Sequence, residues 1–180
     1  EGGVADQARE LCAELACGVV GEADVRDSRL RKARMENERL PRGIEPARHV
    51  KLGPGGLTDV EWTIQLIQMR AGTNNLALRT PSTTQAIQSA REHELISAQD
   101  AQTVLEAGDM AARRRAANPR ASGRMGGVKL DVLPRDGAER RALAAILGYG
   151  SGGLNALEDD WLRVGRKARA VMERLFWEQQ

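Results

Sequence analysis

The sequence predicts an all-α protein, a helical bundle of about six to seven helices. Three observations carry that expectation. Aromatic residues are scarce, with three Trp, one Tyr and one Phe in 180 residues. Ala, Leu, Arg, Glu and Gln dominate over the β-branched residues from which sheets are built. Apolar residues recur at three- and four-residue spacing along most of the chain, and capping residues, Pro and Gly punctuate those stretches.

The elements follow in order. Residues 4–19 read as a helix on Val4, Ala8, Leu11, Leu15 and Val19. Residues 24–39 read as a second helix with a thin apolar stripe (Val25, Leu30, Ala33, Leu40) and a heavy basic load (Arg26, Arg29, Arg31, Lys32, Arg34, Arg39). The Pro and Gly residues of 41–56 predict a loop. A third helix is expected over 57–70. Leu57, Val60, Ile64 and Ile67 line one face and Trp62, Leu66 and Met69 an adjoining one, so this helix belongs at the centre of the bundle. Thr80-Pro81 predicts a helix start, with its end near His93. Ser97 with Asp100 predicts the next helix, to about Ala117, where Asn118-Pro119 is expected to stop it. Asp136 and Glu139 start a short helix ending at Gly148. The last helix spans about 155–178 on Leu157, Trp161, Val164, Ala168, Val171 and Leu175. Residues 118–135 are expected to form a flexible surface loop.

Composition excludes several classes. Lys and Arg number 27 against 25 Asp and Glu, without the basic excess of a nucleic-acid binder. No apolar run approaches the ~20 residues of a membrane span, and no signal peptide is visible. Cys12 and Cys17 fit no metal or redox spacing and read as reduced thiols. The expectation is a cytoplasmic protein with no nucleic-acid or membrane partner. The chain opens at Glu1 without Met and reads as a C-terminal fragment of a longer protein, with 1–180 as a single helical domain.

Lys51–Trp62, KLGPGGLTDVEW, is the most specific segment. Gly53, Gly55 and Gly56 precede a helix whose first N–H groups lack intrahelical partners. A glycine turn feeding a helix N-terminus is a candidate anion site, with Lys51 adding charge. The alternative is a tight turn that lets the chain pack closely against a neighbour. No P-loop follows, because the glycines lack a succeeding GK[ST]. Asp59 and Glu61 have the D-x-E spacing of a metal pair, but on a helix they point roughly 200° apart. Thr58 and Glu61 instead suit a capping box, a structural role. Arg39, Arg42, Arg48 and Lys51 could converge on the same cleft, or be solvated. Arg113-Arg114-Arg115 reads as a solvated helix end, and Trp161, Phe176 and Trp177 as packing residues, with docking of the terminal aromatic pair on a missing neighbour as the alternative. His49 and His93 have no catalytic partner at a recognisable spacing. No catalytic and no metal-ligating residue is identified.

Arg39–Gln65, RLPRGIEPARHVKLGPGGLTDVEWTIQ, resembles the glutamine synthetase adenylyltransferase family and, more loosely, the P-II uridylyltransferases. The resemblance implies the helical domain that follows a nucleotidyltransferase domain. The ending from Leu157 to Trp177 resembles the end of such proteins and points to the adenylylating half. The implied whole enzyme transfers AMP from ATP, with Mg2+, to a tyrosine of glutamine synthetase in nitrogen regulation, and removes it again. Glutamine synthetase, the P-II signalling protein and an upstream nucleotidyltransferase domain are the implied partners. The family's G-[GS]-x-x-D-x-D motif is absent from these 180 residues, so the chain alone is expected to be inactive and to hold neither ATP nor Mg2+. The resemblance assigns cleft-facing, nucleotide-side positions to Lys51, Gly53, Gly55, Gly56 and Asp59, beside Arg39 and Arg42. Pro54 stands where many relatives carry Arg. The competing expectations are a non-catalytic helical interaction module and the helical domain of a P-II uridylyltransferase.

Overall fold

The computed structural model describes residues 21–123, 128–150 and 153–177. The helix expected over 4–19, with both cysteines, lies outside the described residues. Six α-helices are present among them: α1 (Glu22–Glu38), α2 (Leu57–Ala71), α3 (Thr83–Glu92), α4 (Ala98–Ser122), α5 (Gly137–Ile146) and α6 (Gly153–Met172). The chain then widens into a π-turn over Glu173–Trp177. Short 3-10 turns occur at Pro46–Arg48, Leu76–Leu78 and Val128–Asp131. This is the expected all-α bundle.

The core sits in three connected clusters. In the first, α2 (Val60, Ile64), α3 (Ile87, Ala90), α4 (Val104) and α6 (Val164, Val171) interdigitate. In the second, Ala111, Leu143, Leu157 and Trp161 bring α4, α5 and α6 around Val50 and Leu133 from the connecting segments. In the third, Val25, Leu66, Met172 and Phe176 join α1, α2 and the π-turn. The two apolar faces read on α2 thus serve different clusters, which is why this helix is central. Phe176 packs edge-on against Trp62 (6.3 Å) and Trp177 (5.0 Å), so the terminal aromatic residues are packing residues.

Helix starts follow capping chemistry. Ser97 accepts from Asp100 N, and Asp136 from Ala138 N and Glu139 N, as expected. At α3 the cap is Ser82 rather than Thr80; Thr80 Oγ1 accepts from Ser82 N instead.

The expected loop at 118–135 needs correction. The helix passes through Pro119 and ends at Ser122 on a left-handed Gly123, φ 66°. Proline there forfeits a single hydrogen bond, close to the end where bonds run out anyway. Asn118 is buried, and its amide donates to Leu130 O. Beyond, Val50 N donates to Asp131 O (2.6 Å) and Leu133 N to Arg48 O (2.9 Å), closing a short antiparallel bridge between His49 and Val132. Leu133 enters the core. Residues 130–133 therefore run as a strap hydrogen-bonded to Arg48 and Val50, beside the glycine turn.

Helix α1 also departs from its apolar stripe. Leu30 is 55% exposed, whereas Lys32 is 0% exposed. The inward face runs through Val25, Lys32 and Glu36, so this helix docks mainly through charge.

Candidate functional site

The glycine turn is built by close backbone approach. Gly55 has φ +69°, a left-handed conformation that favours glycine. A Cβ on it would lie 2.0 Å from Gly165 O on α6. A Cβ on Gly53 would meet Pro46 O at 2.2 Å, and one on Gly56 would meet Val50 O at 2.6 Å. Gly53, Gly55 and Gly56 are all buried. The turn is a packing device that seats α2 against α6.

Its N–H groups are consumed internally. Lys51 N and Leu52 N donate to His49 Nδ1 (3.3 and 3.1 Å). Gly53 N donates to His49 O, Gly56 N to Gly53 O, Leu57 N to Val50 O and Thr58 N to Lys51 O, all at 2.8–3.1 Å. Gly55 N donates to Asp59 Oδ2 at 2.7 Å. No N–H from Lys51 through Asp59 is left for an anion. The backbone N–H groups of this turn do not fit a nucleotide phosphate. Loop carbonyls fill the helix N-terminus that the sequence presented as vacant.

The expected Thr58–Glu61 cap is also corrected. The N-cap is Gly56, with no side-chain cap bond, because α2 starts before Thr58. Thr58 Oγ1 donates to Lys51 O at 2.8 Å. Asp59, at the third helical position, takes the reach-back role toward Gly55 N. Glu61 is half-buried, and burial raises its pKa above the ordinary carboxylate value, opposed by the charges of Lys51 and Arg115.

Asp59 is the hub of an ion network joining three helices. Its Oδ1 meets Lys32 Nζ of α1 at 2.5 Å and its Oδ2 meets Arg169 Nη1 of α6 at 3.3 Å. Glu36 pairs with Lys32 (3.1 Å) and Arg169 (2.5 Å), and Glu173 with Arg169 (2.9 Å). Burial alone would raise the pKa of Glu36, but the hydrogen bond from Arg169 and the Lys32 charge bring it below the ordinary value. Burial would lower the pKa of Arg169, and its bonds to Glu36 and Glu173 raise it instead. Asp59 therefore faces the interior, with all its acceptor capacity directed at the frame. Of the other candidates, Lys51 is half-buried, and Arg39 and Arg42 are exposed beyond the end of α1. The structure brings Lys51, the glycines and Asp59 together but leaves the two arginines outside.

A second constellation was not legible in the sequence. Arg48 pairs with Glu158 Oε1, and Arg140 reaches Glu158 Oε2 at 2.7 Å. Arg48 Nη2 also donates to Pro134 O at 2.9 Å. Arg114 corrects the solvated reading of 113–115: it is 1% exposed, stacked 4.6 Å over the Trp161 ring. Trp161 Nε1 in turn donates to Ala47 O at 2.6 Å. His49 is buried as a hydrogen-bond acceptor, and burial lowers its pKa. Among the described residues, no group of three His, Cys, Asp or Glu side chains is placed to hold a metal ion, and no helix is long and apolar enough to cross a membrane.

A basic helix locked by buried charge onto a glycine-seated central helix defines an all-α framing domain. Residues 22–176 match the family model for GlnD PII-uridylyltransferase, and the chain belongs to that family. It is 47% identical over 160 residues to the bifunctional glutamine synthetase adenylyltransferase/adenylyl-removing enzyme of Streptomyces coelicolor, covering 89% of this chain and 16% of that protein. Proteins of the same name from Bifidobacterium longum subsp. infantis (41% over 176 residues, 98% and 16%) and Mycolicibacterium smegmatis (39% over 159 residues, 88% and 16%) are similar too. The chain thus spans about one sixth of the length of the curated relatives it matches.

Proposed function

We propose that residues 1–180 form the helical accessory domain of a bifunctional glutamine synthetase adenylyltransferase, in the half that transfers AMP to glutamine synthetase. The similarity to relatives of that name along nearly the whole chain carries the reading. The geometry supports a framing role. The motif that marks the family spends its N–H groups and Asp59 on holding α1, α2 and α6 in register. ATP and Mg2+ are then held by other residues of the enzyme, in a nucleotidyltransferase domain against which this one packs, and the chain alone transfers no AMP. What the frame presents outward is basic: Arg26, Arg31, Arg34, Arg39 and Arg42 are exposed along α1 and just past it. Such a face suits an acidic surface of the catalytic domain, of glutamine synthetase or of a P-II signalling protein.

The test is the whole enzyme carrying Arg39→Glu and Arg42→Glu, assayed for label transfer from ATP to glutamine synthetase. Transfer falls at least tenfold, while the helical circular-dichroism signal of the 180-residue chain with the same changes is unaltered. An unchanged rate would sink the presenting role of this face. The description of the family model favours a second reading, a uridylyltransferase. UMP transfer to a P-II protein by the whole enzyme, without AMP transfer to glutamine synthetase, would establish that one instead.

A further inference from the structure

Helix α1 is held by charge rather than by an apolar face. Among its described residues only Val25 and Lys32 are buried, and Leu30 is 55% exposed. It meets the bundle through Val25, which joins Leu66, Met172 and Phe176, and through the hydrogen bond from Arg29 Nε to Phe176 O. Two ion pairs complete the seam, Lys32 with Asp59 and Glu36 with Arg169, both at 2.5 Å. A polar helix of 17 residues with one buried apolar anchor has little hydrophobic hold. The charges also divide evenly between the two sides of that seam. Within α1, Lys32 pairs with Glu36 at 3.1 Å. Within the bundle, Asp59 pairs with Arg169 at 3.3 Å, and Arg169 with Glu173 at 2.9 Å. Parting the two sides therefore breaks two ion pairs yet leaves every ion a counter-ion on its own side.

We propose that α1 is a releasable arm, which docks and undocks as one unit while the rest of the bundle stays folded. Breaking a buried ion pair is costly chiefly because one charge is left without a partner. Here Lys32 departs with Glu36, while Asp59 keeps Arg169 and the Gly55 N–H. The connection to α2 has the character of a hinge. No residue of 39–45 is buried, and its backbone bonds are local, from Arg39 N to Met35 O and from Ile44 N to Pro41 O. At Gly43 nothing lies within 4 Å of an added Cβ, so the chain can turn there without a clash. Helix α2 has no such freedom, because Gly55 at its start is in backbone contact with Gly165 of α6. Release uncovers the side of Leu66, Met172 and Phe176 on which Val25 sits, a patch bordered by Trp62 and Trp177. A partner that binds this patch, or the inward face of α1, selects the released state.

Hydrogen–deuterium exchange of the full chain, read by mass spectrometry, tests this without any variant. The amides of residues 26–36 share one opening constant, about a hundredfold or more above that of α2, α4 and α6. Glu36→Gln removes the charge that meets Arg169 at a partly exposed position. It raises the α1 opening constant by about three- to tenfold and leaves the other helices unchanged. Met172→Cys reports the uncovered patch, because its thiol is alkylated in proportion to α1 opening. The thiol of Ala111→Cys, in the core of α4, is alkylated only on global unfolding. Exchange of α1 no faster than that of α2 overturns the proposal, as does exchange graded inward from Glu22 in the manner of fraying. Equal labelling of the two introduced cysteines overturns it as well.

Discussion

Gly55→Ala isolates the contact on which the arrangement of α2 and α6 rests. Two penalties arise. A Cβ at φ +69° occupies the left-handed region, at about 1–2 kcal/mol. It would also lie 2.0 Å from Gly165 O and 2.5 Å from Gly165 Cα. Those atoms are backbone and cannot rotate away, so the helices must separate, at about 1–3 kcal/mol for overpacking. The sum is about 2–5 kcal/mol, a large part of a typical domain's stability of about 5–15 kcal/mol. Gly123→Ala supplies the reference. Its φ is +66°, and nothing lies within 4 Å of the added Cβ. It carries the conformational penalty alone, and the entropy that alanine removes from the unfolded chain is common to both variants. A central difference of about 2 kcal/mol between the two corresponds to about 4–8 °C in Tm. Thermal and urea denaturation followed by circular dichroism reads this directly. Coincident unfolding of the two variants would refute the claim that the turn is a backbone-packing device.

Two further outcomes follow from the buried charges. Lys32→Ala leaves the buried Asp59 with Arg169 as its remaining cation and lowers stability by about 1–3 kcal/mol in urea denaturation. The Lys32→Ala, Asp59→Ala double variant loses clearly less than the sum of the single losses, and additivity within about 0.5 kcal/mol would exclude coupling. For His49 the folded pKa lies below its ordinary value, so the unfolded chain binds the extra proton first. Its contribution is complete above pH 6.5 and drains away as pH falls through that value toward the folded pKa. Protonation also removes the Nδ1 acceptor that holds Lys51 N and Leu52 N. Tm measured between pH 7.5 and 5.5 (about one unit either side of the imidazole value) declines for the unmodified chain and is flatter for His49→Asn; equal slopes would dismiss His49 as the titrating group. Glu36 acts in a separate, more acidic window. Its folded pKa is lowered, so its contribution holds above 4.5 and disappears below it.

The bundle was legible because its signals are local. The spacing of Val60, Ile64 and Ile67, or of Leu157, Trp161, Val164, Ala168 and Val171, fixes a buried helix face with no knowledge of its partner, and these residues are indeed in the core or packed on it. Ser97 and Asp136 cap their own helices within three residues, so their roles were readable too. The family signature lies in one continuous run and was equally available.

Tertiary structure alone decided what that run does. Whether a glycine turn before a helix offers its N–H groups to an anion depends on which carbonyls lie opposite. Here those carbonyls belong to His49, Val50, Lys51 and Gly53, and the wall that requires glycine is Gly165, 110 positions away from Gly55. The interior side of a charged helix is likewise undetermined by its own letters. Lys32 and Arg114 look like any solvated basic residue until Asp59 and the Trp161 ring are brought against them from other helices. Hydrophobic periodicity is a property of one segment, whereas pairing of buried charge and close approach of backbone are properties of two. That is why the sequence determined the bundle and the family, and the fold decided that the motif is an internal frame.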